Sequence, residues 1–289
     1  MENKIILGSA NFEQKYGIKK NFIKKSEIKK IFSLATKYNV KTIDTSSLYQ
    51  KSEKIIGSLN KNRFKVMSKI SSPPKYIKKG NINKWIKYKT MNSLRNLKIK
   101  RFECLLLHNA DCLLGKNGNA IYESVKGIKI NGLTNGIGIS IYDFNILNTI
   151  LKRFKFDLIQ LPFNVFDQRL LKSGLLKKLK KKKIKIHARS IFLQGILLLK
   201  NNQIPKKLKK FNKTWNIWQD WLKKNRYSPL QACLSFVLKQ KEVDNFIVGL
   251  NNKNQFNQIL KIKKTKNNFK LPNFNIQDKK LIDPRKWLY

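Results

Sequence analysis

The sequence predicts an α/β chain folded as a (β/α)8 TIM barrel, a closed, parallel, eight-stranded sheet with its helices outside. Three observations carry that prediction. Eight short apolar runs rich in β-branched residues alternate with longer amphipathic runs, the pattern of a parallel sheet covered by helices. Eight repeats of the unit suit closure into a barrel better than an open sheet. The length of 289 residues is enough for one such domain.

The strands are expected at 4–9 (KIILGS), 40–45 (VKTIDT), 64–70 (FKVMSKI), 102–108 (FECLLLH), 135–140 (NGIGIS), 158–161 (LIQL), 184–189 (IKIHAR) and 245–249 (NFIVG). Each is apolar through its middle, and several end on a polar or glycine residue. Between them the apolar residues recur at helical spacing over 26–38, 53–59, 83–97, 120–131, 144–154, 170–181 and a longer stretch, 206–239, with a last helix at 253–263. Ser26-Glu27 reads as one helix start and Ser228-Pro229 as another, with proline at the first helical position. Trp215, Trp218 and Trp221 fall on one helical face, which we read as packing against the barrel. No linker rich in Gly, Pro or Ser divides the chain, so residues 1–289 are expected to form one domain. Its tail, 264–289, is expected to be irregular and to lie over the barrel.

Composition narrows the function classes. At 41% hydrophobic residues, the chain can bury a full core. No run near 18 apolar residues exists, so no membrane span is expected. Residues 1–5 lead straight into a strand without an apolar leader, so a cytoplasmic location is expected. Cys104, Cys112 and Cys233 fit a reducing compartment, and without Cys/His ligand spacing no metal is expected. The net charge of +47 would suit a polyanion binder. Against that, the lysines follow no single face, no nucleic-acid-binding motif accompanies them, and Asn and Ile are abundant with them. We read a composition bias, with no specific nucleic-acid partner. The field still attracts anionic ligands.

The chemistry concentrates at the carboxyl ends of successive strands, where barrels of this type carry their sites. Asp44 ends the second strand and Tyr49 lies in the loop after it; Lys69 ends the third and His108 the fourth. A tyrosine is a poor acid at neutral pH, with an ordinary pKa of about 10. A neighbouring lysine is expected to lower that value, with an aspartate keeping the lysine charged. Tyr49 and His108 together would polarise a carbonyl oxygen for hydride attack. Side chains cannot supply the hydride, so a nicotinamide cofactor would carry it. His187, inside the seventh strand, reads as a core residue.

These motifs resemble the aldo-keto reductases, in particular their bacterial branch. Asp44, Thr45 and Tyr49 with Ser52, Glu53 and Gly57 match Asp-Thr-x-x-x-Tyr followed by Ser-Glu-x-x-x-Gly. Ser68-Lys69 and Leu106-Leu107-His108 match the two later motifs, and the resemblance runs from residue 1 to about 262. It implies catalysis by Asp44, Tyr49, Lys69 and His108, and reduction of a small aldehyde or ketone with NADP, NAD being possible.

The resemblance also implies a cofactor path. Ser140 and Gln160 would hold the carboxamide, although Ile141 stands where the family carries an asparagine. Arg189 would stack on the nicotinamide in place of the usual aromatic. Ser190, Leu193 and Gly195 would hold the pyrophosphate, and Gly249, Asn251, Asn252, Lys253 and Gln255 the adenosine half. Lys253 would face the 2′-phosphate, because Gln255 occupies the usual arginine position. The segment 189–195 resembles relatives associated with sugar metabolism, and the loop 109–119 would shape the substrate pocket. The alternative reading is a non-catalytic nicotinamide-binding barrel with a regulatory or binding role.

Overall fold

A computed structural model describes residues 4–15, 17–18, 22–49, 51–263, 272, 274 and 276–287. Eight strands pair in sequence order and close on themselves. They are β1 (Ile5–Gly8), β2 (Thr42–Asp44), β3 (Lys65–Ile70), β4 (Cys104–Leu107), β5 (Ile137–Ser140), β6 (Leu158–Pro162), β7 (Lys185–Arg189) and β8 (Asn245–Gly249), every pairing being parallel. β8 closes the ring on β1, Ile5 lying opposite Phe246 and Gly8 opposite Gly249. The helices are α1 (Lys25–Lys37), α2 (Ser52–Leu59), α3 (Ile82–Leu97), α4 (Gly118–Ile130), α5 (Leu147–Arg153), α6 (Arg169–Lys172), α7 (Leu175–Lys181), α8 (Asn212–Lys224), α9 (Pro229–Leu238), α10 (Lys253–Lys263) and α11 (Lys279–Ile282).

All eight expected strands form. The helical boundaries differ where single residues decide the backbone. The stretch 170–181 splits into α6 and α7 because Gly174 adopts φ 66°, a conformation that glycine takes without strain. The stretch 206–239 is a 3-10 segment at Lys206–Phe211 followed by α8 and α9, and Arg226 at φ 56° lies between the two helices. Ser228 caps α9 through a reciprocal pair with Gln231, ahead of Pro229. Ser26 does not cap α1, which begins at Lys25 with no side-chain cap. Trp215 and Trp218 are on the buried face of α8, their indole N–H groups donating to the Leu208 and Leu197 carbonyls. The tail is not wholly irregular: α11 and a 3-10 turn at Pro284–Lys286 follow Phe274, which packs on Phe166 and Trp218. The remainder of the expected tail (264–271, 273, 275, 288 and 289) lies outside the described residues.

Strand alternation sorts the side chains. Every second residue points into the barrel. The outward set packs under the helices as the main core. The inward set has two levels. Ile6, Met67, Cys104, Leu106 and Leu158, with Ile247 against them, form a separate apolar plug. Two residues further along β3, β4 and β6 come Lys69, His108 and Gln160, so the plug is the floor beneath a polar rim. Among the described residues no helix is long and apolar enough to cross a membrane, and no His/Cys/Asp/Glu group is arranged to hold a metal.

Candidate active site

A cavity of about 420 Å3 opens above that floor, lined by the carboxyl ends of the strands and the loops beyond them. Asp44, Tyr49, Lys69 and His108 all line it. Asp44 and Lys69 are almost fully buried, and Lys69 Nζ donates to Asp44 Oδ2 at 2.5 Å and to the Thr45 carbonyl at 2.9 Å. Gln160 Nε2 donates to the other Asp44 oxygen at 2.8 Å. Three elements, β2, β3 and β6, therefore lock one carboxylate. The loop carrying Tyr49 is held by its own backbone: the N–H of Ser47 donates to the Lys69 carbonyl, and that of Tyr49 to the Ser46 carbonyl. The Lys69 ammonium sits 5.5 Å from the centre of the Tyr49 ring. The rings of Tyr49 and His108 meet edge to face, 6.1 Å apart.

The electrostatics depart from the sequence expectation in one respect. Lys69 was expected to lower the pKa of Tyr49. Instead burial, and next the Asp44 charge, push the phenol well above its ordinary value. The ammonium is paired with Asp44, whose negative charge opposes its effect on the ring. Burial lowers the Lys69 pKa, and Asp44 opposes that fall. His108 is pushed down to about 4 by burial, with the Lys69 and Arg189 charges adding to the effect. Its ring is neutral at physiological pH.

The other predicted residues divide in two. Ser140, Gln160, Arg189, Ser190, Gly195, Gly249, Asn251 and Gln255 line the same cavity. Leu193, Asn252 and Lys253 do not, and Leu193 is fully buried in the core. Lys253 is exposed, and its backbone N–H donates to Glu27 Oε1 at 2.8 Å. The loop 109–119 contributes no lining residue.

Sequence reasoning missed several lining residues. Ser9 and Asn11 follow β1, Tyr142 follows β5, and Gln258 and Ile259 lie on α10. Tyr142 is sandwiched between two guanidinium groups, with Arg189 3.6 Å from its ring centre and Arg285 3.5 Å from it. Its place two residues beyond Ser140 was the only sequence signal for it.

The lining suits a long polar ligand. Ser9 Oγ, Asn11 Oδ1 and Gln160 Oε1 are buried in the cavity wall without a hydrogen-bond partner among the described residues, which a buried polar atom seldom tolerates unless a ligand or water satisfies it. Gly195 and Gly249 face open space where a Cβ would project. Across the mouth, the Ile18 N–H donates to the Gln194 carbonyl at 3.3 Å, tying the loop after β1 to the loop after β7. Leu193, Gln194 and Gly195 all have positive φ there.

The sequence profile of the Aldo/keto reductase family matches residues 4–276. Among solved structures, the chain is similar to an aldo-keto reductase from Bacillus halodurans in its holo form, at 16% identity and a TM-score of 0.72, covering 91% of this chain and 87% of that one. It is also similar to a thermostable aldo-keto reductase in complex with the inhibitor epalrestat, at 19% identity and a TM-score of 0.66, covering 91% and 90%. No curated protein matches.

Proposed function

The chain belongs to the aldo/keto reductase family of oxidoreductases, and from that premise we propose that it reduces a small aldehyde or ketone with a nicotinamide cofactor, Tyr49 acting as the general acid. The observation that carries this reading is the Lys69–Asp44 pair buried beside Tyr49 and His108 on one wall of the cavity. When bound, the nicotinamide supplies a hydride to the carbonyl carbon. The raised pKa keeps the Tyr49 proton on its oxygen at neutral pH. That proton passes to the carbonyl oxygen as negative charge builds there, giving the alcohol. Lys69 stabilises the phenolate left behind, and Asp44 fixes the direction of the ammonium. Neutral His108 orients the carbonyl through one ring N–H.

The cofactor assignment rests on the unsatisfied wall atoms. Gln160 donates one N–H to Asp44, and its unpartnered Oε1 is the group that would accept from the carboxamide. Ser140 and Arg189 line the same cavity, the Arg189 guanidinium carbon 3.6 Å from the Tyr142 ring centre. The NADP expectation stood on Lys253, which is outside the lining, and on the positive field of the chain. The cations in the lining, Lys69 and Arg189, come from β3 and β7, whereas Asn251 and Gln255 follow β8. Glu27 lies against the Lys253 N–H, where it would repel a 2′-phosphate. The reading carried forward is therefore a nicotinamide cofactor, NADP or NAD, with no cation of the lining assigned to a 2′-phosphate.

The test is the absorbance change of the reduced nicotinamide band with a panel of aldehydes, ketones, keto-sugars and nucleotide-linked sugars. Tyr49→Phe should lower turnover by about two to four decades while cofactor binding is kept. Undiminished turnover in that variant would sink the assignment. Tight cofactor binding with no turnover on any carbonyl would favour the non-catalytic barrel.

A further inference from the structure

Ser46 is fully buried one turn of the loop before Tyr49. Its Oγ lies 2.9 Å from His108 Nδ1 and 3.2 Å from the Lys69 carbonyl, and it accepts the Leu48 N–H at 3.2 Å. A serine hydroxyl has one proton to give, so these contacts compete. If the proton goes to the Lys69 carbonyl, Ser46 Oγ accepts from His108 Nδ1–H, and Nε2 is left as a bare acceptor. If it goes to Nδ1, the ring carries its proton on Nε2.

The Lys69 carbonyl decides between them. It already receives the Ser47 N–H at 3.0 Å and the Ser47 hydroxyl at 3.1 Å. Both of its lone pairs are engaged. The Ser46 proton has its shorter and unshared acceptor in His108 Nδ1. We infer that Ser46 is a positioning residue that fixes His108 in the Nε2–H tautomer, aiming a donor rather than a lone pair at the substrate carbonyl. Ser47 assists by saturating the competing acceptor. The neutral ring that this arrangement needs is secured by its burial and by the flanking Lys69 and Arg189 charges.

The kinetic half of this inference rests on the carbonyl-reduction reading above; the tautomer itself does not. The chain has two histidines, His108 and His187, so ring 15N spectra of the uniformly labelled, ligand-free protein at neutral pH are simple, and the His187→Gln variant assigns them. His108 Nδ1 should appear in the pyridine-like range. Ser46→Ala should move it towards the pyrrole-like range, and Ser46→Thr, which keeps the hydroxyl, should restore it. Should Ser46→Ala fail to fold, Ser46→Cys keeps the volume but removes most of the donor strength, and the same shift is read there. A wild-type spectrum with the proton on Nδ1 overturns the inference, as does one unmoved by loss of the hydroxyl. With 4-nitrobenzaldehyde as probe, kcat should fall about tenfold in Ser46→Ala, the worth of one neutral hydrogen bond, with cofactor affinity unchanged. An altered 15N spectrum without turnover in the parent would leave the tautomer assignment standing and count against the reductase reading instead.

Discussion

The two histidines make the fold acid-sensitive in a defined window. His108 and His187 are each lowered from an ordinary value of 6.5 to about 4, chiefly by burial. His187 sits inside β7, opposite Gln160 and Asn245, and its Nδ1 has no hydrogen-bond partner among the described residues. In the unfolded chain both rings take up a proton as the pH falls through 6.5; in the folded protein they resist until about 4. The unfolded state thus binds more protons between those values, so stability must drop as the pH falls across the window and level off below it. Between about pH 7.5 and pH 4.5, the two pKa values give a loss of about 2.5 kcal/mol for each ring.

The measurement is urea unfolding of the parent and of His187→Asn at both pH values. The parent should lose about 5 kcal/mol from the two rings, and the variant about half of that. Buried Glu53, whose carboxyl is pushed upward by desolvation, titrates with the opposite sign in part of the same range. It is common to both proteins and cancels in the difference. An equal pH dependence in parent and variant would refute the argument that burial holds His187 neutral.

Three further outcomes follow from the geometry. Lys69→Met leaves Asp44 buried with, among the described residues, the Gln160 N–H facing it, and should cost about 3–5 kcal/mol of stability, read by thermal unfolding, along with activity; an unchanged melting point would show that the buried pair adds nothing net to stability. Gly138→Ala places a Cβ 2.5 Å from the Leu158 carbonyl and should destabilise the β5–β6 pairing by roughly 1–3 kcal/mol, as overpacking does, measured in urea. Titration of Lys253→Ala with NAD and NADP should leave their affinity ratio unchanged, because that side chain is outside the cavity lining; a selective loss of NADP affinity would restore it to the site.

What the sequence made legible was what repeats or what sits at a strand end. Runs such as Phe64 to Ile70 identify a buried strand on their own, and Lys69 at the end of one implies a site once Asp44 and His108 end its neighbours. The alternation of two residues per step then places all three inside the barrel. Backbone breaks were less legible, because Gly174 and Arg226 act through local φ values that a periodic pattern does not register. Contacts between distant segments were invisible. Tyr142 meets Arg285 only because the tail returns to the rim, and Ser46 meets His108 only because β2 and β4 flank β3. The direction of the Tyr49 pKa was also out of reach, since it depends on how fully the Asp44 charge compensates Lys69.

The pairing of β1 with β8 has a consequence for how the molecule is made. Ile5 must wait for Phe246, so during synthesis the growing sheet has two raw edges until nearly the whole chain has emerged. Such edges invite strands from neighbouring nascent chains. A chain with a charge of +47 repels its own copies throughout that interval. The charge read above as a composition bias thereby opposes edge-to-edge pairing of unfinished barrels, each of which can close only on itself.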